Sequence, residues 1–151
     1  MLNKKKITKA WFKELQNLIC ETVHELEKEN GSKEIVNWGD GSAVREFIYV
    51  GDAAKALAQS IDMPHDLKPI NIGTGIGTSI KELVNLVSDI IDFNGELKWD
   101  TSKPNGVARK VLDISRMKEL LPNFDPIPLR YGLEKTIRWY LNNKESADAR
   151  K

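Results

Sequence analysis

The sequence predicts an α/β domain with a small mixed sheet and four or five helices. Short segments with period-two alternation interrupt longer stretches in which apolar residues recur at helical spacing. Glycine- and proline-bearing turns separate the two kinds of segment. Ser79 and Glu82 have capping-box spacing at the start of one helix. At 151 residues the chain is the size of one domain with a real core.

Residues 1 to about 8 read as a frayed basic lead-in with no apolar signal core after it, and 1–14 as a whole has no assignable role. A helix is predicted next, with Phe12, Leu15, Ile19, Val23 and Leu26 on one stripe, ending at Asn30-Gly31. His24 lies beside that stripe and reads as structural. Ile35–Trp38 then forms a short strand, and Gly39-Asp40-Gly41 offers positive φ angles for a tight connection. A second strand follows, with Arg45, Phe47 and Tyr49 on one face and Val44, Glu46, Ile48 and Val50 on the other. Together they read as a hairpin that places Trp38 near Arg45. Asp52 is positioned to N-cap a helix through Ala53, Leu57 and Ile61, which ends before Pro64.

Pro69–Gly73 reads as a strand, and Gly73–Gly77 as the turn into a helix with Ile80, Leu83, Val84, Val87, Ile90 and Ile91 buried. Glu96–Trp99 is a further strand, Lys103-Pro104-Asn105-Gly106 a turn, and Arg109–Asp113 extended again. Ser115 is expected to cap a short helix that stops at Pro122. The last helix carries Leu129, Leu133, Ile137, Tyr140 and Leu141 on its apolar face. From Asn142 the chain turns polar, and 144–151 reads as a frayed tail.

A formal net charge of +1 argues against a general nucleic-acid or acidic-membrane binder. No apolar run approaches a membrane span, and the single Cys20 excludes an internal disulfide framework; both fit a cytoplasmic setting.

Two patterns imitate cofactor chemistry. Gly73-Thr74-Gly75-Ile76-Gly77 follows a strand and precedes a helix, as a dinucleotide fingerprint does, but Thr78 stands where the third glycine is required. Tyr131 and Lys135 have the Tyr-Lys spacing of short-chain dehydrogenases, yet they share a polar helix face with Arg138, and a solvated face explains them better.

The candidate site is Trp38 with Arg45. A flat ring can pack on a base, and a planar guanidinium can grip phosphate oxygens in a fork. The plainer alternative is a core tryptophan beside a surface arginine. The adjacent Arg109 and Lys110 could also meet phosphate, or simply form a solvated basic edge.

From about Leu15 to Leu141 the chain resembles the C-terminal, substrate-binding lobe of extended short-chain dehydrogenases/reductases, the NAD-dependent epimerase/dehydratase family. Within it the GDP-L-fucose synthases, NADP-dependent epimerase/reductases, are the nearest group. The resemblance rests on Val36–Gly41, Arg45–Val50, Ile70–Gly75, Thr101–Gly106 and Arg109-Lys110, in the family's order and at near-family spacing. It implies a nucleotide-diphosphate-sugar-binding lobe over residues 15–143, with Trp38, Arg45, Asn105 and Lys110 as substrate-binding residues. It also implies either self-association or a separate Rossmann-domain chain as partner.

The departures from the family matter as well. The sequence shows neither the family's glycine fingerprint nor its catalytic Ser, Tyr and Lys, so no catalytic residue, cofactor site or metal site is expected here. The family's histidine position falls where Leu15 and Gln16 stand; His24 comes too late, and Cys20 does not match the family's catalytic cysteine. Gly51 replaces the first of two acids, leaving Asp52. Asn105 replaces an aspartate, which removes the charge and one acceptor oxygen. Residues 1–14 match nothing in the family.

Overall fold

The computed structural model describes residues 34–63 and 68–149. The predicted first helix, with Cys20 and His24, lies outside the described residues.

The elements run β1 (Glu34–Trp38), β2 (Val44–Glu46), α1 (Val50–Gln59), β3 (Gly77–Ser79), α2 (Ile80–Ile90), β4 (Glu96–Asp100), α3 (Ser115–Leu120), α4 (Leu129–Asn142) and α5 (Lys144–Asp148). The predicted α/β class holds. Its mixed pairing is divided between two small sheets: β1 pairs parallel with β4, and β2 pairs antiparallel with β3. The predicted hairpin is therefore a misreading, because its two strands belong to different sheets.

In β1 the alternation works as expected. Ile35 and Asn37 are buried, while Val36 and Trp38 face outward. Asn37 satisfies its buried amide by donating Nδ2–H to the Lys98 carbonyl at 3.2 Å. The register sets Glu34 opposite Glu96, a like-charge pairing that Lys98 offsets by reaching both carboxylates. Glu34 accordingly raises the Lys98 pKa.

β2 is shorter than predicted, because helix α1 begins at Val50. Asp52 is not its N-cap; Tyr49 is, without a side-chain cap bond. Asp52 instead lies in the first turn with 1% of its surface exposed, and its Oδ2 accepts the Ile127 N–H at 2.9 Å. This bond fastens α1 to the loop before α4.

The predicted strand at Pro69–Gly73 is also displaced. The residues that pair are Gly77–Ser79, opposite Glu46, Arg45 and Val44. The capping box forms as read: Ser79 Oγ accepts the Glu82 N–H at 3.1 Å, and Glu82 Oε2 accepts the Ser79 N–H at 2.7 Å. The next amides of α2 donate to the turn after β1, Ile80 N to Ala43 O and Lys81 N to Gly41 O, both at 2.9 Å. The helix start thus anchors that turn. Ser79→Ala is expected to cost about 1 kcal/mol of stability, read as a lower urea midpoint with an unchanged slope.

Helix α3 starts one step differently from expectation. Asp113 Oδ1 accepts the Ser115 N–H at 2.9 Å and the Ser115 hydroxyl at 2.6 Å, so Ser115 is the first helical residue and not the cap. Helix α4 buries Gly132, Ile137 and Tyr140, whereas Leu141 is exposed. Gly132 permits close packing on Tyr49: a Cβ there would sit 3.2 Å from the Tyr49 Cβ. The expected tail contains the short helix α5, tied back by the Tyr140 hydroxyl, which donates to Asp148 Oδ1 at 3.3 Å.

Candidate functional site

Trp38 closes β1 with its indole 71% exposed, an unusual placement for a ring of that size. Lys103 lies over it, with Nζ 5.5 Å from the ring centroid. The turn behind the ring is held from two sides. Gly39 N–H donates to the Asp100 carbonyl at 2.9 Å, and Asp40 N–H donates to Asn105 Oδ1 at 2.8 Å. Gly39 has a φ of +77°, and a Cβ there would collide with Asn105 Oδ1. Glycine is required at that position for both reasons. Trp99 packs over Gly41 and forms the floor of the turn.

The carboxylates of this turn are held in their ionised form by donated hydrogen bonds. The hydroxyl and the N–H of Ser42 hold the Asp40 carboxyl below its ordinary 3.8, and Ser102 does the same for Asp100 with help from the Lys103 charge. A lowered carboxylate pKa stabilises the ordered turn above the ordinary value, and that contribution is lost as pH falls through the lowered one.

Arg45 sits in the middle of β2. One guanidinium nitrogen, Nη1, donates to the Val44 carbonyl at 2.7 Å. The other, Nη2, is 3.7 Å from where a Gly106 Cβ would be. Lys110 follows on the opposite edge of β2: Val44 N–H donates to Ala108 O at 2.8 Å, and Lys110 N–H donates to Val44 O at 3.0 Å. Residue 109 forms an isolated parallel bridge to Val44, and this short pairing is what remains of the predicted extended run through Asp113.

Two of the four predicted site residues, Trp38 and Arg45, thus border one loop, 103–106, and Asn105 lies within it. Trp38 meets it through Lys103, Asp40 through Asn105, and Arg45 through Gly106; Lys110 lies four residues farther along. The loop after β4, not a hairpin, joins the tryptophan and arginine elements. The Asn105 oxygen is engaged with Asp40, which leaves the amide nitrogen as its outward donor. Asn105→Ala is expected to speed solvent exchange of the Asp40 amide about fivefold, the equivalent of about 1 kcal/mol, while Asn105→Asp preserves protection. Amide exchange followed by NMR reads both.

Two residues escaped sequence reasoning. Lys103 was visible in the turn motif, but nothing local showed that it reaches Trp38. Glu46 was visible as an acid among the apolar residues of its strand face. Its carboxylate accepts the N–H groups of Thr74, Gly75 and Leu112. The Thr74 and Gly75 amides of the glycine-rich turn are therefore already engaged. Tyr131 is half exposed, and Lys135 lies 4.9 Å from its ring and 5.6 Å from that of Tyr49, as suits a solvated face. Among the described residues no cluster of His, Cys, Asp or Glu could hold a metal ion, and no helix is long and apolar enough to cross a membrane.

A family model described as NAD dependent epimerase/dehydratase matches residues 13–73. The chain is 42% identical over 125 residues to the probable GDP-L-fucose synthase 1 of Oryza sativa subsp. japonica, covering 82% of this chain and 37% of that protein. Residues 13–73 thus match the NAD dependent epimerase/dehydratase family, and the likeness to GDP-L-fucose synthases extends over most of the chain. Solved structures of epimerase/dehydratase relatives share the fold. A GDP-L-fucose synthetase from Naegleria fowleri bound to NADP matches with a TM-score of 0.71 at 28% identity, over 74% of this chain and 36% of that one. The UDP-glucose 4-epimerase of Thermotoga maritima with UDP-glucose matches with a TM-score of 0.64 at 28% identity, over 73% of this chain and 35% of that one. The chain spans little more than a third of the length of the curated epimerase/dehydratase relatives it matches.

Proposed function

We propose that residues 15–143 are a nucleotide-diphosphate-sugar-binding lobe and that the site is the face bordered by Trp38, Arg45, Asn105 and Lys110. The supporting observation is the convergence of an exposed indole and an arginine fork on the 103–106 loop. The ring stacks on the base, while Arg45 and Lys110 hold the phosphates. The outward Asn105 amide donates to a ligand oxygen. GDP is the preferred nucleotide because the matched relatives include GDP-L-fucose synthases.

The lobe is not catalytic alone. The glycine-rich turn gives its amides to Glu46, and the Tyr131–Lys135 pair stands in solvent, so neither serves a nicotinamide cofactor. NADP and the hydride step belong to the complete family enzyme, and one half of a split enzyme is the alternative setting for this lobe. The test is an NMR titration with GDP. The Trp38 indole N–H and the amides of Arg45, Gly106 and Lys110 should shift together, and shifts scattered elsewhere would remove the site.

A second reading, an association module, draws on Val50, Leu57 and Ile61, which leave an exposed apolar stripe along and just beyond α1. It expects a dimer or larger species by light scattering, and a strictly monomeric mass over a wide concentration range contradicts it.

A further inference from the structure

Arg45 and Glu46 are neighbours in β2, so their side chains leave opposite faces of the strand. Glu46 Oε1 accepts the Thr74 N–H at 2.5 Å and the Gly75 N–H at 2.8 Å, and the Thr74 hydroxyl lies 3.4 Å away. Its Oε2 accepts the Leu112 N–H at 2.7 Å. Gly73 is buried, and a Cβ there would collide with Oε1. The first glycine of the turn therefore admits the carboxylate. Successive backbone N–H groups in a turn make an anion-binding concavity. In this chain the anion is internal.

The same carboxylate joins three segments. β2 carries Arg45, the Gly73–Gly75 turn leads into β3, and the stretch ending at Leu112 carries Lys110. Between β2 and that stretch the backbone bonds are few: Val44 N–H to Ala108 O, and Lys110 N–H to Val44 O. Among the described residues, Glu46 is the β2 residue whose hydrogen bond reaches Leu112. Charge-assisted bonds to backbone N–H are among the stronger ones available, and one carboxylate making three of them fixes both segments at once.

We infer that Glu46 is a positioning residue of the diphosphate site: it fills the anion position of the glycine-rich turn and, through Leu112, holds the Lys110 segment beside the strand that carries Arg45. This rests on the nucleotide-site reading above. Glu46 touches no ligand; it acts through where it places Arg45 and Lys110.

Chemical rescue tests it. Glu46→Ala removes the carboxylate but keeps Cβ, and acetate has the size of the missing group. GDP affinity of Glu46→Ala should fall about tenfold or more, the equivalent of losing one charge-assisted contact. Acetate should restore most of it, and chloride at equal ionic strength should not. Acetate should also return the Thr74, Gly75 and Leu112 amide shifts toward their wild-type positions, a signature that general destabilisation does not produce. A folded Glu46→Ala that binds GDP like the wild type overturns the inference, as does equal recovery with chloride. If Glu46→Ala does not fold, Glu46→Gln serves: it retains an acceptor oxygen and loses the charge, so it should bind GDP more weakly than the wild type, and unchanged affinity overturns the inference. If the wild type binds no GDP, the proposed function fails. The amides then decide on Glu46 alone, and shifts that acetate leaves unmoved defeat its placement too.

Discussion

Asp52→Ala is expected to destabilise the fold by about 3 kcal/mol, among the largest effects of any single substitution outside the apolar core. The residue is almost fully buried, and its Oδ2 is the acceptor for the Ile127 N–H. Among the described residues its ion pair is with Lys55 Nζ at 3.3 Å, a side chain that is 70% exposed, and it therefore contributes little. Alanine would leave the Ile127 N–H without its acceptor and open a void beside Ala56, a buried residue one turn along α1. The first turn of α1 would also lose its negative charge. Asp52→Asn keeps an acceptor oxygen and the side-chain volume and should cost about 1 kcal/mol, so the difference between the two variants reports the Ile127 bond together with the void. Urea denaturation measures both, and an alanine variant within about 0.5 kcal/mol of the wild type would contradict the assigned role.

The sequence carried the parts of this fold that are decided locally. The capping box at Ser79 and Glu82 is a relation between residues three apart, and it forms as read. The alternation in β1 is equally local, since one face is buried and the other is not. Pairing partners are not local. β2 takes Gly77–Ser79 as its neighbour, although Pro69–Gly73 has the better strand composition, because the pairing edge and not propensity decides which residues bond.

The site was legible as a set of residue types and illegible as a route. Trp38 and Arg45 were expected together through a hairpin; instead the loop after β4 reaches both, and its residues lie more than fifty positions beyond either. Glu46 and Asp52 show the same limit. Each is a single acid whose backbone N–H partners are 28, 29, 66 or 75 residues away. Read locally, Asp52 could only look like a helix cap.

Arg45→Ala is expected to weaken nucleotide binding by about 1.5–3 kcal/mol. The guanidinium already spends one donor on the Val44 carbonyl, and its Nη2 lies beside Gly106 of the 103–106 loop. The bond to Val44 restricts the side chain before any ligand arrives, which reduces the ordering cost of a phosphate contact. Arg45→Lys should recover only part of the loss, because an ammonium lacks the planar fork and cannot hold Val44 O and two phosphate oxygens together. Trp38→Ala should weaken binding as well. Its ring is exposed, so the loss belongs to stacking and not to the core, and an unchanged denaturation midpoint would separate the two.

Titration calorimetry with GDP and a GDP-sugar, on the wild type and Arg45→Ala side by side, tests the nucleotide site most directly. The expected result is weak binding by the wild type that falls by about ten- to a hundredfold in the variant. No heat from either protein at millimolar ligand, or equal affinity in both, would contradict a nucleotide-diphosphate site at Arg45.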